Sequence, residues 1–271
     1  MEDGCQSPVE LKRAHRQFYD RITTQLNASE FGAFSYFLNL GYVPDGSACY
    51  SQVRLPSRYP NRTSVQLALE LIADCPLTDR RLLDVGCGRG GTIAVVKTFF
   101  RPRALVGVDL SPAAVTFDQR THGGRGVGFC AGDAEHLPFR DAAFDVVTNL
   151  ESSHSYPRLR DFYAEAHRVL VPGGDFLYGD VLPLEKMKSC IHMLEDAGFV
   201  VRRARDVTSN VLRSCDQVAR QRLSVFTDGD PLLENFLATP GSAVYENMRA
   251  GTYVFRCLTL QKPPVGGGSS S

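Results

Sequence analysis

The chain has 271 residues, enough for one α/β domain with an insertion, and 30 basic side chains balance 30 acidic ones. A zero formal net charge gives no reason to expect a nucleic-acid or membrane-surface partner. No apolar run reaches bilayer length, the opening residues lack a secretory core, and the eight cysteines (Cys5, Cys49, Cys75, Cys87, Cys130, Cys190, Cys215 and Cys257) include no C-x-x-C pair. The chain therefore reads as soluble, cytoplasmic and reduced, with neither a disulfide framework nor a zinc site.

Residues 1–60 carry helical and aromatic signals, with Phe18, Tyr19, Phe31, Phe34, Tyr36, Phe37 and Tyr42. Such a segment can be core packing or a helical lid over an apolar substrate. Residues 61–262 form the expected core. "TSVQLALELIADC" has Thr63 as a hydroxyl cap and apolar residues at helical spacing. "RLLDVG" reads as a buried strand and "ALVGVDL" as the next, with a helix opening near Gly91 between them. Ser111 caps a further helix with Pro112 in its first turn.

Strands three and four are "VGFCAGD" and "FDVVTNL". The helix "RLRDFYAEAHRVLVPGG" is expected to stop at Pro172 and Gly173, ahead of strand "DFLYGDV". Helix "PLEKMKSCIHMLEDAG", strand "FVVRRAR", helical "TSNVLRSCDQVARQRLSVF" and strand "GTYVFRCLTL" complete the pattern. The alternation predicts a doubly wound, Rossmann-like α/β sheet of seven strands with helices on both faces and a helical insertion before the last strand. The Pro-, Gly- and Ser-rich residues 263–271 read as a disordered tail or linker.

The dense glycines of "LLDVGCGRGG" place a ligand at the turn after the first strand. Gly86, Gly88 and Gly91 fit G-x-G-x-x-G, so a nicotinamide or flavin dinucleotide is one reading. The other uses Gly86, Gly88 and Gly90 with Asp84 just ahead of them. A carboxylate there suits a cationic ammonium and would repel a pyrophosphate, which favours S-adenosylmethionine. Asp109, about 20 residues past the first glycine, can accept ribose hydroxyls in either cofactor. Asp133 stands where a side chain could take an adenine amino proton, with the Ala134 amide beside the ring.

The ordered series "LLDVGCGRG", "GVDLS", "GDAEHLPF", "FDVVTN" and "VLVPGG" resembles the motifs of class I S-adenosylmethionine-dependent methyltransferases across residues 80–182. The resemblance implies that Asp84, Gly86, Gly88 and Gly90 surround the methionyl part, that Asp109 and Leu110 hold ribose and adenine, and that Asp133 and Ala134 hold the base. Asn149, ending the fourth strand, joins this cofactor set. For Gly91 the ligand and packing readings stay even.

After the fourth strand, "NLESSHSYP" faces the expected position of the transferable methyl group. Glu151 and His154 are three residues apart, which one turn brings to one face. A histidine titrating near ~6.5 can deprotonate an alcohol at neutral pH, and Glu151 could orient it. A divalent cation held by the two is an alternative. The other histidines (His15, His122, His136, His167 and His192) are expected to be packed or exposed, without chemistry. The finer pattern resembles small-molecule O-methyltransferases acting on phthiotriolone-type lipids, microcystin-type peptides and polyketides. That implies a hydroxyl-bearing acceptor, free or tethered to an acyl carrier protein. Methylation at carbon or nitrogen, a dinucleotide oxidoreductase and a non-catalytic binding module are the alternatives.

Overall fold

A computed structural model describes residues 7–28, 32, 35–223 and 231–264. Seven strands form one sheet: β1 (Arg81–Val85), β2 (Ala104–Asp109), β3 (Val127–Ala131), β4 (Phe144–Leu150), β5 (Leu170–Pro183), β6 (Val200–Asp206) and β7 (Tyr253–Gln261). Their spatial order is β3-β2-β1-β4-β5-β7-β6, with β7 antiparallel to both neighbours and the other neighbouring pairs parallel. The order reverses between β1 and β4. Ligands of open α/β sheets bind beyond the carboxyl ends of the strands at such a switch point.

Alternation along the central strands builds two cores from one sheet. Leu82, Val146 and Leu177 pack against α2 (Arg62–Ile72) and α3 (Gly91–Phe99). Their neighbours Leu83, Val147 and Phe176 face the other way, onto α5 (Leu159–Val169) and α6 (Leu184–Asp196). Two residues adjacent in a strand point to opposite faces, so these strands are apolar on both sides. Helix α4 (Pro112–Thr121) begins as expected, Ser111 Oγ accepting from the Ala114 amide at 3.1 Å with Pro112 in the first turn.

The insertion between β6 and β7 holds α7 (Thr208–Leu223), α8 (Pro231–Phe236) and α9 (Ala243–Arg249). Val211 and Cys215 of α7 and Met248 of α9 form a third cluster with Leu67, Phe255 and Tyr42. The N-terminal helix α1 (Pro8–Ala28) buries Ile22 and Leu26 against Leu233 and Leu237. No helix among the described residues is long and apolar enough to cross a membrane. Seven cysteines are free thiols; Cys5 lies outside the described residues.

Several boundaries differ from expectation. The N-terminal segment is helical only through Ala28, and residues 35–61 run as irregular chain punctuated by Gly41, Pro44, Gly46, Pro56 and Pro60. Gly41 and Gly46 have positive φ and proline cannot continue a helical ladder, so the aromatic residues there line the core as extended chain. Phe31 and Phe34 lie outside the described residues, as do 224–226 of the expected seventh helix and the tail from Val265. Helix α2 starts beyond Asn61, whose left-handed backbone precedes it, so Thr63 is not its cap. Helix α5 ends at Val169, and Pro172 and Gly173 belong to β5.

Candidate active site

A cleft of about 720 Å³ opens at the carboxyl ends of β1, β2, β4 and β5, roofed by α1 and residues 36–40. At its floor β1 turns into α3 through the glycine loop. Gly86 (φ 68°) donates to the Val108 carbonyl at 2.8 Å, and a Cβ on it would lie 2.3 Å from Ser152 Oγ. Only glycine fits, because any side chain would meet both the backbone strain and the Ser152 hydroxyl.

Asp84 is buried below this loop and accepts from Thr148 Oγ1 at 2.7 Å, while its Oδ2 has no hydrogen-bond partner. Burial, with help from the charge of Asp109, pushes its carboxyl up to about 7. Asp109 accepts from the amides of Gly88 and Ser111, both at 2.8 Å, and burial raises it to about 6 despite those bonds. Two carboxylates that pair with no cation among the described residues thus flank the loop. This floor is poised for a positively charged guest.

Further along, Leu110, Asp133 and Ala134 line the same cleft. Asp133 Oδ2 is paired at 2.6 Å with Lys12 of α1, which also bonds Glu135.

At the opposite end lies His154, in a short 3-10 turn (Ser153–Ser155) after β4. Its Nδ1 is 2.9 Å from Asp180 Oδ1, near the end of β5. Asp180 is fully buried and also accepts from Ser153 Oγ (2.6 Å), the His154 amide (2.9 Å) and the Val181 amide (2.8 Å). Acceptor oxygens on Asp180 place the imidazole proton on Nδ1 and leave the Nε2 lone pair free. Burial opposes charge on the ring, but attraction and hydrogen bonding from Asp180, aided by Glu151, outweigh it and raise the His154 pKa above 6.5.

Asp180 is thus the carboxylate bonded to His154 Nδ1, where the sequence suggested Glu151. Glu151 has a left-handed φ of 50°, an uncommon conformation for a non-glycine residue. That backbone turns its carboxylate to the roof, where it accepts the Leu40 amide at 3.0 and 3.1 Å. Its charge still acts on His154 through space.

Residues 83–178 match the family model described as a methyltransferase domain. A fatty-acid O-methyltransferase of Mycolicibacterium smegmatis is 36% identical over 233 residues, spanning 84% of this chain and 83% of that protein. A phthiotriol/phenolphthiotriol dimycocerosates methyltransferase of Mycobacterium tuberculosis is 34% identical over 259 residues, 93% of each chain. The solved structure of a [4+2]-cyclase superposes with a TM-score of 0.70 over 93% of this chain and 96% of that one, at 23% identity, a likeness of fold alone. The chain belongs to the S-adenosylmethionine-dependent methyltransferases.

The floor of the methyltransferase fits that cofactor. The Asp84 oxygen left without a hydrogen-bond partner suits its ammonium, and at Gly88, where a Cβ would meet only Leu38 at 3.5 Å, there is room for close approach. Two members of the sequence-derived set stand elsewhere. Asn149 is fully buried, its Nδ2 donating to the Val85 carbonyl (2.9 Å), Ser152 Oγ (2.7 Å) and Tyr156 OH (3.2 Å). It does not line the cleft. It braces the turn that does.

Gly90 likewise faces inward: it precedes α3 in a left-handed conformation, and a Cβ there would sit 2.5 Å from the His122 ring. Gly91 instead lines the cleft, under the Phe37 ring.

Asp180 is not among the residues expected at the site; an acid among the apolar residues of the carboxyl-terminal half of β5 is the signal that could have found it. His15, expected to be packed or exposed, lines the cleft, bonds the Ser155 backbone and has a buried Nδ1 without a hydrogen-bond partner among the described residues. Phe18, Tyr19, Leu38, Leu40, Phe236 and Tyr253 make the lining of the cleft predominantly apolar.

Proposed function

We propose that this methyltransferase methylates a hydroxyl oxygen on a lipid- or polyketide-like molecule, with His154 as general base and Asp180 as the residue that orients it. The observation that carries the reading is the His154–Asp180 pair on the wall of a largely apolar cleft, with Nδ1 held by Asp180. When bound, S-adenosylmethionine supplies a methyl group on a sulfonium leaving group, so little activation of the donor is needed. Asp84, Gly86, Gly88, Asp109, Leu110, Asp133 and Ala134 would hold it.

The residues of the chain then have two tasks. The apolar wall excludes water and aligns the acceptor oxygen. His154 Nε2 takes the hydroxyl proton, and Asp180 stabilises the resulting imidazolium. Names of the relatives, which specify a fatty acid and phthiotriol dimycocerosates, support an acceptor with long apolar chains. The acceptor is either a free molecule or one tethered to a carrier protein. Seven free thiols support a reducing, cytoplasmic setting.

The test is mass spectrometry of hydroxyl-bearing lipids and polyketides, free and carrier-linked, incubated with S-adenosylmethionine. A gain of one methyl on oxygen is expected. His154→Ala should lower turnover about 10²–10⁴-fold with cofactor affinity unchanged. A methyl on carbon or nitrogen, or normal turnover in His154→Ala, would reject the reading.

A further inference from the structure

Arg89 lies within the cofactor loop, between Gly88 and Gly90, yet it is only 1% exposed. Its guanidinium runs away from the cleft floor and up into the roof. Nε donates to the Ser35 carbonyl at 2.7 Å, and one terminal nitrogen to the Gly32 carbonyl at 2.9 Å. The other terminal nitrogen donates to Asn27 Oδ1 (2.8 Å) and the Thr23 carbonyl (3.3 Å). The Phe117 ring stacks on it, with the guanidinium carbon 3.6 Å from the centroid.

Burial pushes its pKa down to about 10, while Asp118 attracts the charge from a distance. A desolvated cation is costly unless its donors are met, and here neutral oxygens meet them. The arrangement needs a planar fork. A lysine ammonium could not reach Ser35, Gly32 and Asn27 together.

Simple attachment of α1 does not require this residue. Ile22 and Leu26 already seat the helix against Leu233 and Leu237, and Lys12 and Asp20 bond Asp133 and Ser111. What Arg89 adds is a rigid link between two functional halves. Below, Gly88 donates to Asp109, and the Arg89 carbonyl meets His122 Nε2 at 3.1 Å. Above, the segment it grips leads into Phe37 over Gly91, Leu38 beside Gly88, and Leu40 bonded to Glu151.

We infer that Arg89 is a positioning residue that makes the acceptor wall part of the cofactor site, so that filling the glycine loop fixes residues 35–40. The inference rests on the glycine loop as the cofactor site and is independent of His154 as the base. By reciprocity, an ordered wall tightens the cofactor.

Hydrogen exchange read by mass spectrometry tests it, with S-adenosylhomocysteine as the probe and no turnover needed. In the unaltered chain, saturating probe should slow exchange at residues 84–91 and, by about tenfold, at residues 35–40. In Arg89→Met at saturating probe, 84–91 should still be protected while 35–40 exchanges as without probe. Arg89→Lys should restore only part of the protection at 35–40.

Asn27 is exposed, so Asn27→Ala spares folding while removing one end of the link; it should show a weaker effect of the same sign. Should Arg89→Met not fold, Asn27→Ala decides. Protection of 35–40 in Arg89→Met, or in Asn27→Ala, equal to that of the unaltered chain would overturn the inference alone. Absence of protection at 84–91 in the unaltered chain would overturn the cofactor assignment and the inference with it.

Discussion

Replacing Asp180 by asparagine isolates what the carboxylate does for His154. The substitution keeps size and leaves one oxygen able to accept from Nδ1–H. It removes the charge opposite the imidazolium and sets an NH₂ group, in place of Oδ2, against two donors: Ser153 Oγ and the His154 amide. A hydrogen bond to a charged group contributes about 1.5–3 kcal/mol. Losing that stabilisation as the ring takes its proton should lower kcat by about 10- to 150-fold, at about 1.4 kcal/mol per factor of ten.

The pH profile gives a second, independent reading. With Asp180 present the His154 pKa is raised, so the rate should climb with pH through an ionisation above 6.5. In Asp180→Asn, burial acts with less opposition, and the acid limb should move to lower pH even as the plateau falls. Stability follows the same sign. The pairing stabilises the fold below the unfolded histidine value, and that contribution fades as pH rises through the higher folded value. Single-turnover rates across pH 5–9 with saturating cofactor would measure both effects. An unchanged acid limb with a plateau within twofold of the parent, in place of a fall of about 10- to 150-fold, would refute the reasoning.

Asp84, held at about 7 by burial, should take up a proton in the free protein and release it to solvent when a cationic guest binds. Calorimetry in two buffers should therefore show proton release at pH 6–7 and cofactor affinity that rises with pH to a plateau above about 7; Asp84→Asn should abolish both. The same shift makes the ligand-free protein lose stability as pH climbs from 3.8 toward 7, the reverse of a salt-bridged aspartate. Glu151→Gln keeps an oxygen for the Leu40 amide and removes only charge, so its acid limb should move down by less than in Asp180→Asn, as pH–rate profiles would show. Gly90→Ala should destabilise by at least about 1–2 kcal/mol, from left-handed strain alone. Contact with His122 would add to that, and thermal unfolding should register the loss.

Periodicity and local chemistry were enough to locate all seven strands, the Ser111 cap, the glycine loop and the turn that carries His154. These features depend on neighbours in the chain: two-residue alternation, a hydroxyl ahead of a helix, glycines where a Cβ has no room. The site drew on contacts that no local pattern encodes. Glu151 and His154 share a turn, yet the left-handed backbone at Glu151 sends its carboxylate to Leu40.

The partner of His154 comes from β5, and parallel pairing of Leu150 with Gly179 brings Asp180 beside the turn after β4. Asn149 and Gly90 read as cofactor contacts because they sit in cofactor motifs. Strand pleat and loop curvature turn them inward, and turn Gly91 outward. Arg89 could be read only as a basic residue among glycines. Its partners, from Thr23 to Ser35, become neighbours when α1 folds back across the sheet, because long-range contacts are set by how the layers pack and not by spacing along the chain.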